Sequence, residues 1–414
     1  MEYKVKREAF FNQLPNYWAN MYGQEYSLYG VHQITEEYAA SLQEFGDRAG
    51  AIFFKTHELL SSDLVADETL LQLGFPSETL PYIRCKSLLP KTVIGRLDAV
   101  EVDGAPKVME LNSDTPTFIY ECFSVTGKMC DEFGVSDPNE GEEAVLKKAV
   151  RSAVLNAYRS LGTSHAPYIV FTSHEDNEED RNTVLYLKSL AGMPSEYVAL
   201  KDLRIVAGVG LFDSAGRKID VLYRQTFPVE SLIKDVDPDT GENVGLQLMQ
   251  LVIDGKLAVI NPPSAFLLQS KAVMAVIWGL HEEHSPFFTE EEHEWIGQCF
   301  LPTYLEPDIL IANGESYVKK PVFGREGDTV EIFDGSGTLV EEDKNKSYKD
   351  YLYVYQKYAE LPKTTFMTEQ GEKEGHLMSG IFLINGKASA FGFRVGSRIT
   401  DNLSYFLPAG IKNL

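Results

Sequence analysis

The sequence predicts a mixed α/β fold, and two observations support this prediction. Residues 168–172 have the pattern of a buried strand, 178–190 that of a helix and 219–223 that of a second strand, which is the alternation of an open α/β layer. A second block of strands follows a helical region at about 262–298. Its strands are predicted at 316–323, 329–334, 351–358 and 379–394.

Helices are predicted before this layer. From about residue 8 to residue 62 the pattern is helical in two amphipathic segments, and Thr35 with the two acids after it is typical of a helix start. Another helix is expected after Pro116, and a long one at about 139–161, where apolar residues recur between charges. A loop is expected at 235–245 and a charged surface excursion at 338–347.

Composition restricts the function classes. The chain has 414 residues and a net charge of −23, which opposes general binding to nucleic acid or to anionic membranes. The start lacks the apolar core of a signal peptide, and no apolar run approaches the ~18 residues of a membrane span. We therefore expect a cytoplasmic protein, and a reduced compartment suits its few cysteines, which have no zinc-like spacing. These are Cys85, Cys122, Cys130 and Cys299.

The segment 95–117, GRLDAVEVDGAPKVMELNSDTPT, contains a predicted β-hairpin. Its turn lies at Asp103-Gly104, and apolar and polar residues alternate on both sides with the period of a strand. A loop of three residues, 103–105, would pair Asp98 with Glu110, so that both carboxylates leave one face of the sheet. A loop of two residues would place them on opposite faces.

The same register pairs Arg96 with Asn112 and gathers hard oxygen atoms beside a guanidinium. Such oxygens suit Mg2+, which proteins usually hold with one or two carboxylates plus substrate phosphates. An exposed hairpin with a cross-strand charge pair is an equally good interpretation of the spacing alone.

A possible nucleotide-binding loop lies at 317–327, YVKKPVFGREG, between two predicted strands. Its glycines, Gly324 and Gly327, would let backbone N–H groups approach phosphate oxygens. It matches neither the Walker A motif nor GxGxxG, and a plain hairpin is favoured on sequence alone. Strand 353–358, which precedes Leu361-Pro362, suits either a hinge beside an adenine ring or a buried aromatic strand.

Two further groups are weaker candidates. His281, His284 and His293 fall in one helical region, where surrounding acids favour a solvated face over a metal site. The acidic run that begins at Glu178 suits a helix N-terminus, where acids complement the helix dipole. No spacing suggests a serine or cysteine nucleophile with its base.

Together these segments resemble the synthetase domain of the glutathionylspermidine synthase family, a group of ATP-grasp ligases. The resemblance is closest at 110–117, ELNSDTPT. Its other blocks, in family order, are 95–98, 178–183, 261–263, 269–271, 320–327, Gln356 with Leu361-Pro362, and the tail 399–408. It implies an ATP-grasp fold of the glutathionylspermidine synthetase type, with a helical N-terminal segment and a pre-ATP-grasp-like α/β layer.

The resemblance also implies roles for single residues. Arg96 would be catalytic, stabilising charge on the transferred phosphoryl group, and Asp98, Glu110 and Asn112 would hold two Mg2+ ions that bridge the ATP phosphates. The residues implied to bind ATP are Lys271, Lys320, Arg325, Gly327 and Gln356. The residues implied to contact the carboxylate or amine substrate are Thr115, Thr117, Glu178, Glu179 and Arg394.

The implied reaction is ATP- and Mg-dependent joining of a peptide or amino-acid carboxylate to an amine through an acyl phosphate. Residues 1–260 would carry the metal hairpin and the substrate region, residues 261–414 the lid and the adenine pocket, and no amidase domain would precede them. Departures in the tail, Tyr405 and Ala409 where relatives often have Arg and His, leave a catalytically degenerate nucleotide-binding scaffold as the alternative. A phosphotransferase is a third option. Neither substrate, nor the oligomeric state, nor the pathway follows from the sequence.

Overall fold

Helices and strands alternate along the chain in the computed structural model, which describes residues 2–325, 327–401 and 403–412. The predicted domains 1–260 and 261–414 extend beyond this part at their outermost residues. The predicted glycine loop includes Glu326, which also lies outside it. The mixed α/β fold is confirmed. The α-helices are Glu2–Phe11, Glu36–Leu60, Asp67–Gln72, Leu80–Ile83, Thr126–Phe133, Glu142–Ser160, Glu178–Ala191, Val229–Leu232, Val244–Ile253, Ala265–Gln269, Ala272–Glu282, Glu290–Cys299 and Asp308–Ala312.

The predicted α/β layer is a parallel sheet of four strands. Its order is Ala258–Ile260, Val221–Gln225, Ile169–Ser173, Glu196–Tyr197. Helices Glu142–Ser160 and Glu178–Ala191 contact it. The second strand begins at Val221 rather than at Ile219, because Ile219 ends a short strand of a separate three-stranded sheet.

The predicted hairpin lies in a large antiparallel sheet. Its order is Tyr405–Leu407, Lys387–Gly396, Gly371–Ile384, Ile94–Val102, Ala105–Asn112, and Lys363–Thr368 also pairs with Gly371–Ile384. The predicted strand 379–394 is thus two strands, which turn at Asn385 (φ 52°) and Gly386 (φ 83°), the backbone of a two-residue hairpin turn. Strands from both sides of the predicted boundary at residue 260 share this sheet, and the two-domain division stays a prediction.

A small antiparallel sheet lines one side of the cleft that is described below. Its order is Thr303–Tyr304, Tyr353–Lys357, Tyr317–Pro321, Glu331–Phe333, Leu339–Glu342. The last strand falls where a charged surface excursion was predicted. It is a mostly exposed edge strand, so burial gives it no alternating pattern to recognise.

The minor strands complete the fold. Lys218–Ile219, Gly210–Phe212 and Arg204–Val206 form the separate sheet, while Asn20–Met21 pairs with Gln24–Glu25 and Ala409–Ile411 with His32–Ile34. The short strands between residues 12 and 35 replace part of the predicted N-terminal helical region. Its second helix does start where predicted, since the Thr35 side chain accepts a hydrogen bond from the N–H of Tyr38.

The long helix Glu36–Leu60 packs on the large antiparallel sheet through a buried face that includes Leu42, Phe45 and Ile52. A Cβ atom at Gly46 would lie 2.8 Å from the Cβ of Ala388, so glycine allows the helix to approach the sheet closely. The helix thus covers one face of the sheet that contains the hairpin. The polar side chains of the hairpin line the cleft described below.

Candidate active site

The turn of the hairpin has two residues, so the predicted three-residue loop 103–105 is wrong. Val102 pairs directly with Ala105, which leaves Asp103 (φ 51°) and Gly104 (φ 79°) as the turn. Both positive φ angles suit a type I′ turn, for which Asp-Gly is a preferred sequence.

A β-bulge at Met109 nevertheless produces the predicted pairing. The register shifts by one residue beyond the turn, so that Asp98 lies opposite Glu110 and Arg96 opposite Asn112. Without the extra residue, the two-residue turn would have placed Asp98 opposite Met109 and the carboxylates on different faces. The prediction that both carboxylates share one face is confirmed, for a reason that differs from the one given.

Arg96 holds Asp98 in a bidentate ion pair. The Nε and Nη2 atoms of Arg96 lie 2.6 and 2.9 Å from the two carboxylate oxygens of Asp98, and Nη1 donates to the carbonyl of Thr117 at 3.0 Å. Both side chains are buried. Burial raises the pKa of the Asp98 carboxyl, while the charge of Arg96 opposes that rise.

Two buried lysines set the charge state of Glu110. Lys271 Nζ lies 3.0 Å from Glu110 Oε2. Burial alone would raise the pKa of Glu110, but Lys271 and Lys320 together outweigh it and lower the pKa to about 2. Burial lowers the pKa of Lys320 to about 8, although the charge of Glu110 acts in the opposite direction. The carboxylate therefore stays ionised between two cations.

The side chains of Asp98, Glu110 and Asn112 carry oxygen atoms of the kind that suits Mg2+, although Asn112 turns its amide nitrogen toward both carboxylates. Asn112 Nδ2 lies 3.1 Å from Asp98 Oδ2 and 3.2 Å from Glu110 Oε1, so the three side chains meet on one face. Within the described ranges, no group of three His, Cys, Asp or Glu side chains is arranged to hold a metal. A magnesium ion here would have only two carboxylates and would need phosphate or water oxygens to complete its coordination.

Lys320 and Gln356 belong to the small sheet and meet across two of its strands. Lys320 Nζ donates to Gln356 Oε1 at 2.8 Å, and Gln356 Nε2 donates to Thr303 Oγ1 at 3.2 Å. Tyr358 and Leu361, in the segment predicted as a hinge, also line the cleft.

The predicted glycine loop lies over these lysines. Lys271 Nζ donates to the carbonyl of Gly324 at 3.0 Å, and Arg325 Nη2 donates to the carbonyl of Thr115 at 3.1 Å. Gly327 has a positive φ of 75°, and a Cβ there would lie 2.6 Å from the carbonyl oxygen of Thr400. Only glycine fits this contact without displacement.

The structure places most of the predicted site residues in one cleft of about 1630 Å³, a volume that includes solvent at its mouth. Twelve of the fourteen line it, namely Arg96, Asp98, Glu110, Asn112, Thr117, Glu179, Lys271, Lys320, Arg325, Gly327, Gln356 and Arg394. The other two do not. Thr115 is buried, and its carbonyl accepts the hydrogen bond from Arg325, whereas Glu178 is exposed at the first position of its helix.

Several cleft residues were not singled out from the sequence. Tyr26 comes from the N-terminal segment and Asn177 precedes a helix, while Arg398 stacks on Tyr358 with its guanidinium carbon 4.9 Å from the ring centroid. Asn177 and Arg398 lie just outside the blocks 178–183 and 399–408, and Tyr26 has no such block near it. Only the tertiary fold brings such residues to the cleft.

Two other predicted features lie away from the cleft. Of the three histidines, His284 is exposed, whereas His293 is buried and its Nδ1 lies 3.1 Å from Nδ1 of His281. Neither of the departures in the tail lines the cleft: the Tyr405 hydroxyl accepts from Lys373 at 3.0 Å, and Ala409 is buried in the pairing with His32. These two departures are therefore not among the residues that line the cleft.

Comparisons with known proteins identify relatives of this chain. The chain is 24% identical over 357 residues to trypanothione synthetase of Crithidia fasciculata, covering 80% of this chain and 51% of that protein. It is 22% identical over 323 residues to a Haemophilus influenzae protein provisionally named an acid–amine ligase, covering 76% of this chain and 73% of the other. The chain thus spans about half the length of the first relative and about three quarters of the second.

A solved structure shows the same fold. The apo form of a glutathione synthetase-like effector from Globodera pallida superposes with a TM-score of 0.59 at 13% identity, covering 99% of this chain and 96% of the other. This similarity is consistent with the predicted ATP-grasp type of fold. The glutathionylspermidine synthase preATP-grasp family matches residues 4–412, nearly the whole chain, and the protein belongs to this family.

Proposed function

We propose that the protein joins a small carboxylate to an amine in an ATP- and Mg2+-dependent reaction that proceeds through an acyl phosphate. Family membership and the names of the two relatives identify the chain as an amide-forming ligase. The nucleotide, the metal and the intermediate are inferred from the cleft.

One observation supports the proposal above all others. Two carboxylates on one face of a hairpin lie in the same cleft as two buried lysines and a glycine loop. Lys271 touches both Glu110 and the carbonyl of Gly324 and thus links the hairpin to the loop. Carboxylates for a metal, cations for phosphates and backbone N–H groups beside them are the parts that phosphoryl transfer requires.

Residues of the chain account for the first step without a protein nucleophile. An oxygen of the substrate carboxylate attacks the terminal phosphorus of ATP, and ADP leaves. Lys271 and Lys320 would hold the phosphates, and Arg96, whose guanidinium is buried beside the hairpin, would stabilise the developing charge. Bound Mg2+, held by Asp98, Glu110 and Asn112, would neutralise phosphate charge and orient the phosphates for in-line transfer.

The second step forms the amide. The amine attacks the carbonyl carbon of the acyl phosphate, the C–N bond forms, and phosphate leaves. Closure of the loop around Gly327 would exclude water, which otherwise hydrolyses an acyl phosphate. Glu179 and Arg394, on the walls of the cleft, are proposed to contact the substrates, together with Thr117.

The adenine ring would lie against the small sheet. Val318 and Ile332 give the cleft an apolar wall beside Gln356, and Leu301 and Met378 extend it. An apolar slot with few polar groups is the usual environment of a planar base.

A hydroxamate assay tests this proposal. The protein is incubated with ATP, Mg2+, hydroxylamine and a panel of amino acids and peptides, and ADP and hydroxamate are quantified. For an accepted carboxylate we expect equal amounts of both, and a chelator should stop their formation. Glu110→Gln should lower both rates by on the order of 100-fold, as loss of one transition-state contact does.

Glu140→Gln, at an exposed position that does not line the cleft, is the matched control and should keep the wild-type rates. Formation of ADP without any carboxylate would contradict the ligase proposal. Unchanged rates in Glu110→Gln would remove Glu110 from the metal site.

A further inference from the structure

A buried carboxyl group lies directly behind one wall of the cleft. Tyr26 lines the cleft, and its hydroxyl donates a hydrogen bond to Glu121 Oε1 at 2.7 Å. Glu121 is 0% exposed, and its Oε2 atom accepts no hydrogen bond from the described residues. A buried carboxyl with an unpaired oxygen is unfavourable for stability, so packing does not explain its presence.

The charges around Glu121 come from several elements. Burial and then the charge of Glu179 raise its pKa to about 7, while the hydrogen bond from Tyr26 and the charge of Arg394 act in the opposite direction. The Tyr17 hydroxyl on the N-terminal segment also lies within range of this carboxyl. Burial raises the pKa of Tyr26 well above its ordinary value, so Tyr26 keeps its hydroxyl proton near neutral pH. With its pKa near 7, Glu121 is in contrast partly ionised at neutral pH and can accept a proton there.

The proposed ligase reaction requires a proton acceptor. An alkylamine is an ammonium ion at neutral pH and has no lone pair with which to attack an acyl phosphate. The carboxylates of the hairpin are engaged already, Asp98 by Arg96 and Glu110 by Lys271. Tyr26, which lines another part of the same cleft, and Glu121, which lies behind it, are placed to accept the proton.

We propose that Tyr26 and Glu121 form a proton path that deprotonates the substrate ammonium, an inference that rests on the proposed ligase function. The ammonium transfers a proton to the Tyr26 oxygen as the Tyr26 hydroxyl proton passes to Glu121 Oε1. The products are a neutral amine and a protonated Glu121, so no further reactant is needed. The amine then forms the C–N bond, the bond from carbon to the phosphate oxygen breaks, and a second amine proton leaves with phosphate.

In this path Tyr26 touches the substrate, and Glu121 acts through Tyr26.

The test compares two nucleophiles at pH 7: hydroxylamine, which is neutral, and an alkylamine, for which spermidine, lysine and methylamine serve as probes. The carboxylate is one accepted in the hydroxamate assay. Glu121→Gln and Tyr26→Phe should each lower the ratio of amide to hydroxamate kcat by on the order of 100-fold.

Glu230→Gln is the matched control, because Glu230 is also fully buried with its pKa raised by burial to about 7, but among the described residues no cleft tyrosine donates a hydrogen bond to its carboxyl. It should keep the wild-type ratio. The pH profile is a second readout: amide kcat of the wild type should rise as pH increases through about 7, where Glu121 becomes ionised, and Glu121→Gln should lose this rise. Thermal denaturation shows whether each variant is folded.

Three outcomes would each lead to a different conclusion. An unchanged ratio in folded Glu121→Gln would mark Glu121 as structural and overturn the proton path. Wild-type protein that forms hydroxamate but no amide with any probe amine would also overturn it, and leave acyl phosphate formation standing. Absence of both ADP and hydroxamate would remove the proposed function itself, and the proton path with it.

Discussion

Charge in the cleft is balanced side chain by side chain. Asp98 is paired with Arg96, and Glu110 is paired with Lys271 and lies close to Lys320. Buried ion pairs contribute little net stability, because desolvation offsets much of their attraction. Grouping these charged residues within one cleft is better explained by a ligand that carries both phosphate and metal charge.

Under the proposed function, Lys320 would make nucleotide binding dependent on pH. Its pKa, lowered by burial to about 8, means that the free protein loses this positive charge as pH rises through about 8. We therefore expect kcat/KM for ATP to fall between pH 7 and pH 9. Lys320→Arg, which stays charged, should abolish that fall, and a steady-state pH profile of both proteins checks it. Parallel falls in the two proteins would contradict the role of Lys320.

Glu110→Gln should separate the metal from the nucleotide. The variant loses a metal ligand but also removes the anion that pairs with Lys271. We expect affinity for MgATP to fall by about tenfold, which corresponds to about 1.4 kcal/mol, while affinity for ATP in chelator does not fall. Calorimetric titration measures both. An unchanged MgATP affinity would show that Glu110 does not bind the metal.

At the residue scale, the charged residues of the hairpin could be predicted from the sequence because they lie in a compact motif. Arg96, Asp98, Glu110 and Asn112 all fall within seventeen positions on two strands. Tyr26 is separated from Glu121 by 95 residues and has no comparable pattern around it. Contacts of this kind depend on how elements pack, and one sequence does not contain that information.

At the scale of elements, the hairpin shows that a correct pairing can follow from an incorrect turn. The predicted three-residue loop would have placed both carboxylates on one face, and in the structure a bulge at Met109 does so instead. Bulges leave little trace in sequence, because the extra residue has no fixed type. Only the register of the completed sheet distinguishes the two solutions.

The glycine loop gives a prediction about a single element. Gly327→Ala combines a positive φ with a Cβ that would lie 2.6 Å from the Thr400 carbonyl oxygen, so the loop must move. We expect KM for ATP to rise by about tenfold, the equivalent of about 1.4 kcal/mol, with little change in the melting temperature.

Gly216→Ala is the control for this change. Gly216 also has a positive φ, but a Cβ at this position would meet no atom within 4 Å, so only backbone strain is introduced. It should leave KM for ATP unaltered. An equal rise of KM in both variants would show that the loop contact at Gly327 is not specific.

At the scale of the whole molecule, Asn261 connects the parallel sheet to the hairpin. Its Oδ1 accepts from the N–H groups of Val93 and Ile94, and its Nδ2 donates to the carbonyls of Ser113 and Asp114, among others. One buried side chain thus fixes where strand Ile94–Val102 begins and where its partner Ala105–Asn112 ends.

Asn261→Ala should destabilise the protein. The change leaves buried N–H and C=O groups unpaired, and the free energy of unfolding should fall by about 3 kcal/mol. Urea denaturation measures the loss, with Asn313→Ala, at an exposed position, expected to stay within about 0.5 kcal/mol of the wild type. A loss in Asn261→Ala no larger than in the control would show that the two sheets are held together by other contacts.

Sheet membership is the part of the whole molecule that could not be predicted from periodicity. Strand Ile94–Val102 was recognised, but its second neighbour is Gly371–Ile384, from the other end of the chain. Periodicity shows that a segment is a strand and which side is buried; it does not name the partner strand. The ordered series of family motifs supplied the fold type instead.

Among the described residues, no helix is both long and apolar enough to cross a membrane.

Transfer of oxygen-18 shows directly whether the cleft activates a carboxylate as an acyl phosphate. An accepted carboxylate is labelled with oxygen-18 in both oxygens, and the phosphate released during amide formation is analysed by mass spectrometry. We expect one labelled oxygen in each phosphate, because the carboxylate oxygen bonds to phosphorus before the amine displaces the phosphate. Unlabelled phosphate, formed together with the amide, would contradict activation as an acyl phosphate.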